Sequence, residues 1–124
     1  MASLHHIALG ARDVEAVAAF YREAFALPER RRHFDDEGLR SIWLSLGDAL
    51  LMIERTQMQA APVQQIGVGP FLLAFRVSPE QREELEAHLE SMGAPIEDRT
   101  EHTSYARDPE QNRVAISHYP SDVD

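Results

Sequence analysis

The chain of 124 residues has no cysteine and no lysine. Its 12 basic side chains are all arginine and face 21 acidic ones, for a formal charge of −9. Without cysteine there is no disulfide scaffold, no cysteine zinc site and no cysteine nucleophile. The acidic excess argues against nucleic acid as a partner, because that affinity rests on basic side chains meeting phosphates. It argues equally against an anionic membrane surface. No apolar run approaches the roughly 18–20 residues of a membrane helix. The start, Met1-Ala2-Ser3-Leu4-His5-His6, lacks a signal-peptide apolar core. Nor is there a serine nucleophile elbow or a phosphate loop: Gly67-Val68-Gly69-Pro70 lacks the lysine and the following helix. These absences leave a cytoplasmic domain, and a 44% apolar fraction is that of a folded chain.

What is present repeats itself. Leu4-His5-His6-Ile7-Ala8-Leu9 reads as a strand, and Asp13 as the N-cap of a helix. Val14, Val17, Ala18, Tyr21, Ala24 and Phe25 recur at helical spacing until Pro28 stops the run. Strands follow at 30–35, 39–46 and 49–55, with turns at Asp36-Glu37-Gly38 and Gly47-Asp48. Residues 56–70, rich in Gln, Ala, Gly and Pro, read as a linker. The order then recurs: a strand over 71–77 and a helix start at Ser78-Pro79-Glu80-Gln81. Leu85, His88, Leu89 and Met92 form the stripe of that helix, and Gly93 ends it. Strands at 96–100, 102–107 and 113–118 complete the half, with Asp108-Pro109-Glu110-Gln111-Asn112 as a turn. The fold class is therefore α+β. Two βαβββ modules, 1–55 and 71–120, make one domain over 1–124. The expectation is one curved mixed sheet, helices outside and a concave cleft within.

Side chains alternate along a strand, so each strand divides into an outward and an inward set. The inward set is His6, Ala8, Trp43, Met52, Glu54, Leu72, Arg76, Tyr105 and Ala115, with Arg113 and Ser117 also turned in. His6 and Glu54 read as an acid–base dyad or as a structural pair, the latter including Glu54 against Arg76. Trp43 reads as a stacking plate for a ligand or as core filling. Met52 and Leu72 read as an apolar ligand wall or as core. His5 is expected to face away from His6. Arg30-Arg31-Arg32-His33 reads as an anion grip or as protection of a sheet edge. Glu80, Glu83, Glu84, Glu86 and Glu90 read as the solvated face of the second helix.

His6-Ile7-Ala8-Leu9, Asp13, Phe20-Tyr21, the run Phe71 to Val77 and the run Asp108 to Val114 resemble the vicinal oxygen chelate superfamily. That group includes glyoxalase I, extradiol dioxygenases, and fosfomycin and bleomycin resistance proteins. The resemblance covers nearly the whole chain, and Asp108-Pro109 before a strand is its most specific piece. It implies paired βαβββ modules around a cleft, in a homodimer. In glyoxalase-like members the metal ligands are one His, one Glu, one His and one Glu, from the first, fourth, fifth and eighth strands. Carried over, these positions fall on His6, Glu54, Leu72 and Ala115. Leu and Ala offer no lone pairs, and a catalytic site of this kind needs three protein ligands. The resemblance thus implies a glyoxalase/bleomycin resistance-like protein that binds a small molecule without a metal cofactor. The alternative is a metal-dependent lyase, isomerase or dioxygenase using His6, Glu54 and a non-standard third ligand, His102 or a His from a second subunit. Net acidity favours a cationic ligand by long-range steering, and Arg76 and Arg113 weigh against it.

Overall fold

The computed structural model describes residues 1–120. The chain forms two compact units, Met1–Ala60 and Ala61–Asp124. In the first, β1 (His6–Ala11), α1 (Val14–Phe25), β2 (Glu29–Asp35), β3 (Gly38–Leu46) and β4 (Ala49–Arg55) follow the expected order. In the second, β5 (Leu73–Arg76), α2 (Arg82–Ser91), β6 (Asp98–Arg99), β7 (Thr103–Arg107) and β8 (Arg113–Ser117) repeat it. Hydrogen bonding orders the strands β1-β4-β3-β2 in one sheet and β5-β8-β7-β6 in the other. The expected α+β class and the two βαβββ modules are present, and the ladders give each module its own mixed sheet of four strands, with the first strand paired to the fourth.

In the first unit the apolar stripe builds the core. Asp13 caps α1 by accepting a hydrogen bond from the Ala16 amide at 3.0 Å. Val17, Ala18 and Tyr21 pack, fully buried, on β3 and β4, where Ile42, Leu44, Leu51 and Ile53 are also fully buried. Each of those aliphatic side chains contributes about 1.5–3 kcal/mol by leaving water. Gly38, at φ 113°, closes the β2–β3 hairpin in a conformation that favours glycine. β2 is the edge strand, so the basic run does lie on a sheet edge. Arg32 there bonds Glu15 at 2.6 Å and Glu29 at 2.7 Å, and Arg22 bonds Glu29 at 2.6 Å. The hydrogen bonds from Arg32 hold both carboxyls below the usual carboxylate range.

The second helix is held differently. The Ser78–Gln81 cap forms, with the Gln81 amide donating to Ser78 Oγ at 3.2 Å, but it closes a separate turn and α2 starts only at Arg82. Of the expected stripe, Leu89 is fully buried while Leu85, His88 and Met92 are half-buried. The helix ends at Gly93, φ 83°, whose amide donates to Glu90, while the Ala94 amide donates to Leu89. Polar contacts supply the rest of the anchoring. Arg82 donates to Ser104 Oγ (2.9 Å) and to the carbonyls of Glu101 (2.7 Å), Thr100 (2.9 Å) and Thr103 (2.9 Å). Glu86 is not on the solvated face: its side chain is 13% exposed, bonds Arg99 at 3.0 Å and accepts from Ser104. Burial pushes the Glu86 carboxyl up, but the hydrogen bonds from Arg99 and Ser104 outweigh it and hold the group low.

Strand ends differ from expectation where pairing stops. β1 starts two residues later than expected and runs to Ala11, because its ladder with β4 continues to Arg55. β5 is four residues rather than seven, so Phe71 and Leu72 precede it. β6 is two residues, Asp98 and Arg99, paired with Tyr105 and Ser104. The 108–112 turn is as expected. Asp108, fully buried, accepts from the Glu110 amide (2.8 Å), the Asn112 amide (2.9 Å) and Asn112 Nδ2 (2.9 Å).

Candidate functional site

Each sheet has one face under its helix and one helix-free face. Register assigns the side chains of the second kind. On the first sheet one row is His6, Leu50 and Ser45, the next Ala8, Met52, Trp43 and Arg31, and the third Gly10, Glu54, Ser41 and His33. His6, Trp43, Met52 and Glu54 therefore share a face, as the alternation predicts. His6 and Glu54 do not meet. His6 lies opposite Leu50, and Glu54, four residues further, lies opposite Gly10. That offset is roughly 13 Å along the strand, whereas a proton-transfer pair sits about 2.6–3.2 Å apart. His6 instead places Nδ1 2.9 Å from Nδ1 of His5, the rings edge to face. His5 was expected to face away. It precedes β1, so the pleat does not fix its direction.

Trp43 and Met52 are neighbours across the β3–β4 ladder. The Trp43 ring is half-buried, and its centroid lies 4.6 Å from that of His33. Sequence reasoning left His33 and Ser41 out of the site. The alternation that turned Trp43 inward also turned Ser41 inward. His33 was hidden in the basic run, and its placement depends on register shifts in β2 that alternation does not reveal.

On the second sheet, Ala74, Ala115 and Tyr105 form one row, and Arg76, Ser117 and Thr103 the next. Leu72 lies just outside the ladder. Arg113 stacks over the Tyr105 ring at 4.3 Å, and its Nε lies 3.4 Å from Glu97 Oε1, an ion-pair contact without a hydrogen bond. Arg113 is thus committed within the unit. Arg76 borders an open groove of about 640 Å³ that is also lined by Ser78, Gln81, His118 and Tyr119. This groove lies at the C-terminal ends of two parallel strands, beside the turn that leads into α2. Among its lining residues, Arg76 is the one that the strand alternation turns inward in the sequence.

The donor set does not fit the metal of the glyoxalase-like members. Of the four positions that the resemblance implies for ligands, two carry Leu72 and Ala115. Among the described residues no three His, Asp or Glu side chains are grouped to hold an ion. His102 supplies no third ligand at the Ala115 position. Its carbonyl pairs with the His118 amide, beyond the Thr103–Ser117 pair, and its ring packs 5.3 Å from His118 and 5.1 Å from Tyr119. No helix among the described residues is long and apolar enough to cross a membrane.

Solved structures share this architecture. A fosfomycin resistance protein FosX variant from Listeria monocytogenes, complexed with Mn(II) and 1S,2S-dihydroxypropylphosphonic acid, superposes with TM-score 0.78 at 17% identity, covering 94% of this chain and 92% of that one. Lactoylglutathione lyase from Agrobacterium tumefaciens gives 0.69 at 22% identity, over 94% and 93%. A possible glyoxalase from Bacillus cereus gives 0.76 at 19% identity, over 93% and 97%. These likenesses show the fold. No curated protein matches the chain. Residues 6–117 match the family described as Glyoxalase-like domain. With that match and the repeated βαβββ order, the chain belongs to the glyoxalase-like family of the vicinal oxygen chelate superfamily.

Proposed function

We propose that the chain binds a small, partly apolar molecule on the helix-free face of its first sheet and does so without a metal. The donor set carries this reading: Leu72 and Ala115 cannot ligate, and His6 and Glu54 are two ligand types where three are needed. The remaining lining suits a ligand. Leu50, Met52 and Trp43 give that face an apolar and aromatic surface. The bleomycin resistance proteins of the resembled group act by sequestration, and the same use fits a site without catalytic groups in register.

The test is a thermal melt of the purified chain, first with EDTA, then with Mn(II), Ni(II) or Zn(II), and then with a small-molecule library. Binding to the folded state raises the melting temperature by mass action. Stabilisation by an organic ligand that persists in EDTA supports the reading. Stabilisation by a metal, abolished in His6→Ala, overturns it and supports the metal-dependent lyase, isomerase or dioxygenase that His6 and Glu54 would serve.

A further inference from the structure

The helix-free face of the first sheet holds polar atoms that its own packing leaves unpaired. Ser41 is 0% exposed, and its Oγ has no hydrogen-bond partner among the described residues. Nε1 of Trp43 and Nε2 of His33 are buried and unpaired as well. Register brings the three together. Ser41 lies opposite His33 on one side and Glu54 on the other, and Trp43 is two residues along from Ser41 on the same face. Native folds leave few buried polar atoms without partners, and here three share one patch.

The atoms specify what would satisfy them. An indole N–H only donates, a carboxylate only accepts, and a hydroxyl or a neutral imidazole nitrogen can do either. A carboxylate ligand would pair with Trp43 but be repelled by Glu54. An ammonium would pair with Glu54 but leave the indole N–H unpaired. A carboxamide carries an acceptor and a donor side by side and meets both demands. We propose that Ser41, Trp43, His33 and Glu54 form a subsite for an uncharged carboxamide on a planar, aromatic ligand. The proposal rests on the small-molecule reading above and names the ligand class for that site. His33 and Trp43 are half-buried, so part of each ring reaches the surface. Access to the buried atoms requires these rings to turn about their side-chain bonds.

Trp43 is the only tryptophan, so its emission reports on this patch alone. The experiment titrates the full chain with benzamide, benzoate and benzylamine and follows the indole emission. Benzamide is expected to change the emission saturably and to bind about tenfold or more tightly than either charged analogue. Ser41→Ala is expected to weaken benzamide about fivefold or more while leaving the melting temperature equal or higher, since it removes a buried unpaired hydroxyl. Glu54→Gln keeps the shape and is expected to narrow the preference over benzoate. Equal binding of all three probes, or benzamide binding indifferent to Ser41→Ala, overturns the proposal. So does a library in which other molecules stabilise the chain and benzamide does not, and there the small-molecule reading stands. If nothing in the library stabilises the chain, the small-molecule reading itself fails.

Discussion

Arg82→Met tests whether α2 is held by polar contacts rather than by its stripe. Met keeps most of the stem and removes the fork. Five hydrogen bonds are lost, to Ser104 Oγ, to His118 Nε2 and to the carbonyls of Thr103, Glu101 and Thr100. They do not count equally. The bonds to Glu101 and Thr100 lie in exposed surroundings, so water replaces the arginine there. The bonds to Ser104 and His118 are part-buried, as is that to Thr103, whose carbonyl still accepts from the Thr100 amide. Hydrogen bonds to a charged group contribute about 1.5–3 kcal/mol each. Two such bonds, reduced by the solvation that the arginine no longer forfeits, give a loss of about 3–4 kcal/mol. For a chain of this length, that corresponds to a fall of roughly 10–15 °C in melting temperature. Urea unfolding followed by far-ultraviolet circular dichroism measures it directly. Arg82→Lys is expected to fall between, because an ammonium cannot span the fork. A loss below about 1 kcal/mol for Arg82→Met would refute the polar anchoring and return the helix to Leu89 and its neighbours.

Two further outcomes follow from the same kind of reasoning. Asp108→Ala removes the three hydrogen bonds by which a buried carboxylate holds a surface turn and is expected to cost about 2–3 kcal/mol in urea unfolding, with Asp108→Asn costing less. Glu86 gives a pH dependence. Its folded carboxyl is held below the unfolded value, so its stabilisation is full above that value and is lost as pH falls through the folded one. Melts from neutral pH down through the carboxylate range are expected to show this loss, and Glu86→Gln is expected to flatten it.

The first module was readable because its alternation is clean: Ile42 and Leu44 against Ser41 and Trp43, and one apolar stripe on α1. The second was less so. Glu86 looks like part of a solvated acidic face. Its partners, Arg99 and Ser104, come from strands 13 and 18 residues away, and local periodicity carries no trace of them. Ser78 and Gln81 make the cap that their spacing promises, yet the cap closes a turn and α2 begins after it. In the site, the residue types at the positions that the resemblance implies for ligands were legible, since Leu72 and Ala115 are plain in the sequence. The register that separates His6 from Glu54 was not, because alternation gives the face of a side chain and not its height along the strand. The same limit hid the meeting of His33 with Trp43.

The two helices occupy the same place in two copies of one motif, and they answer substitution by different rules. α1 is seated by volume, through Val17, Ala18 and Tyr21, so its contact face should accept other apolar side chains of similar size and reject cavities. α2 is seated by direction, through a guanidinium aimed at three carbonyls and a hydroxyl, so shape-preserving changes that move a donor are the harmful ones. A duplicated module can therefore keep its topology while its two halves drift under separate constraints. A sequence variant of this chain is best judged by asking first which half it falls in.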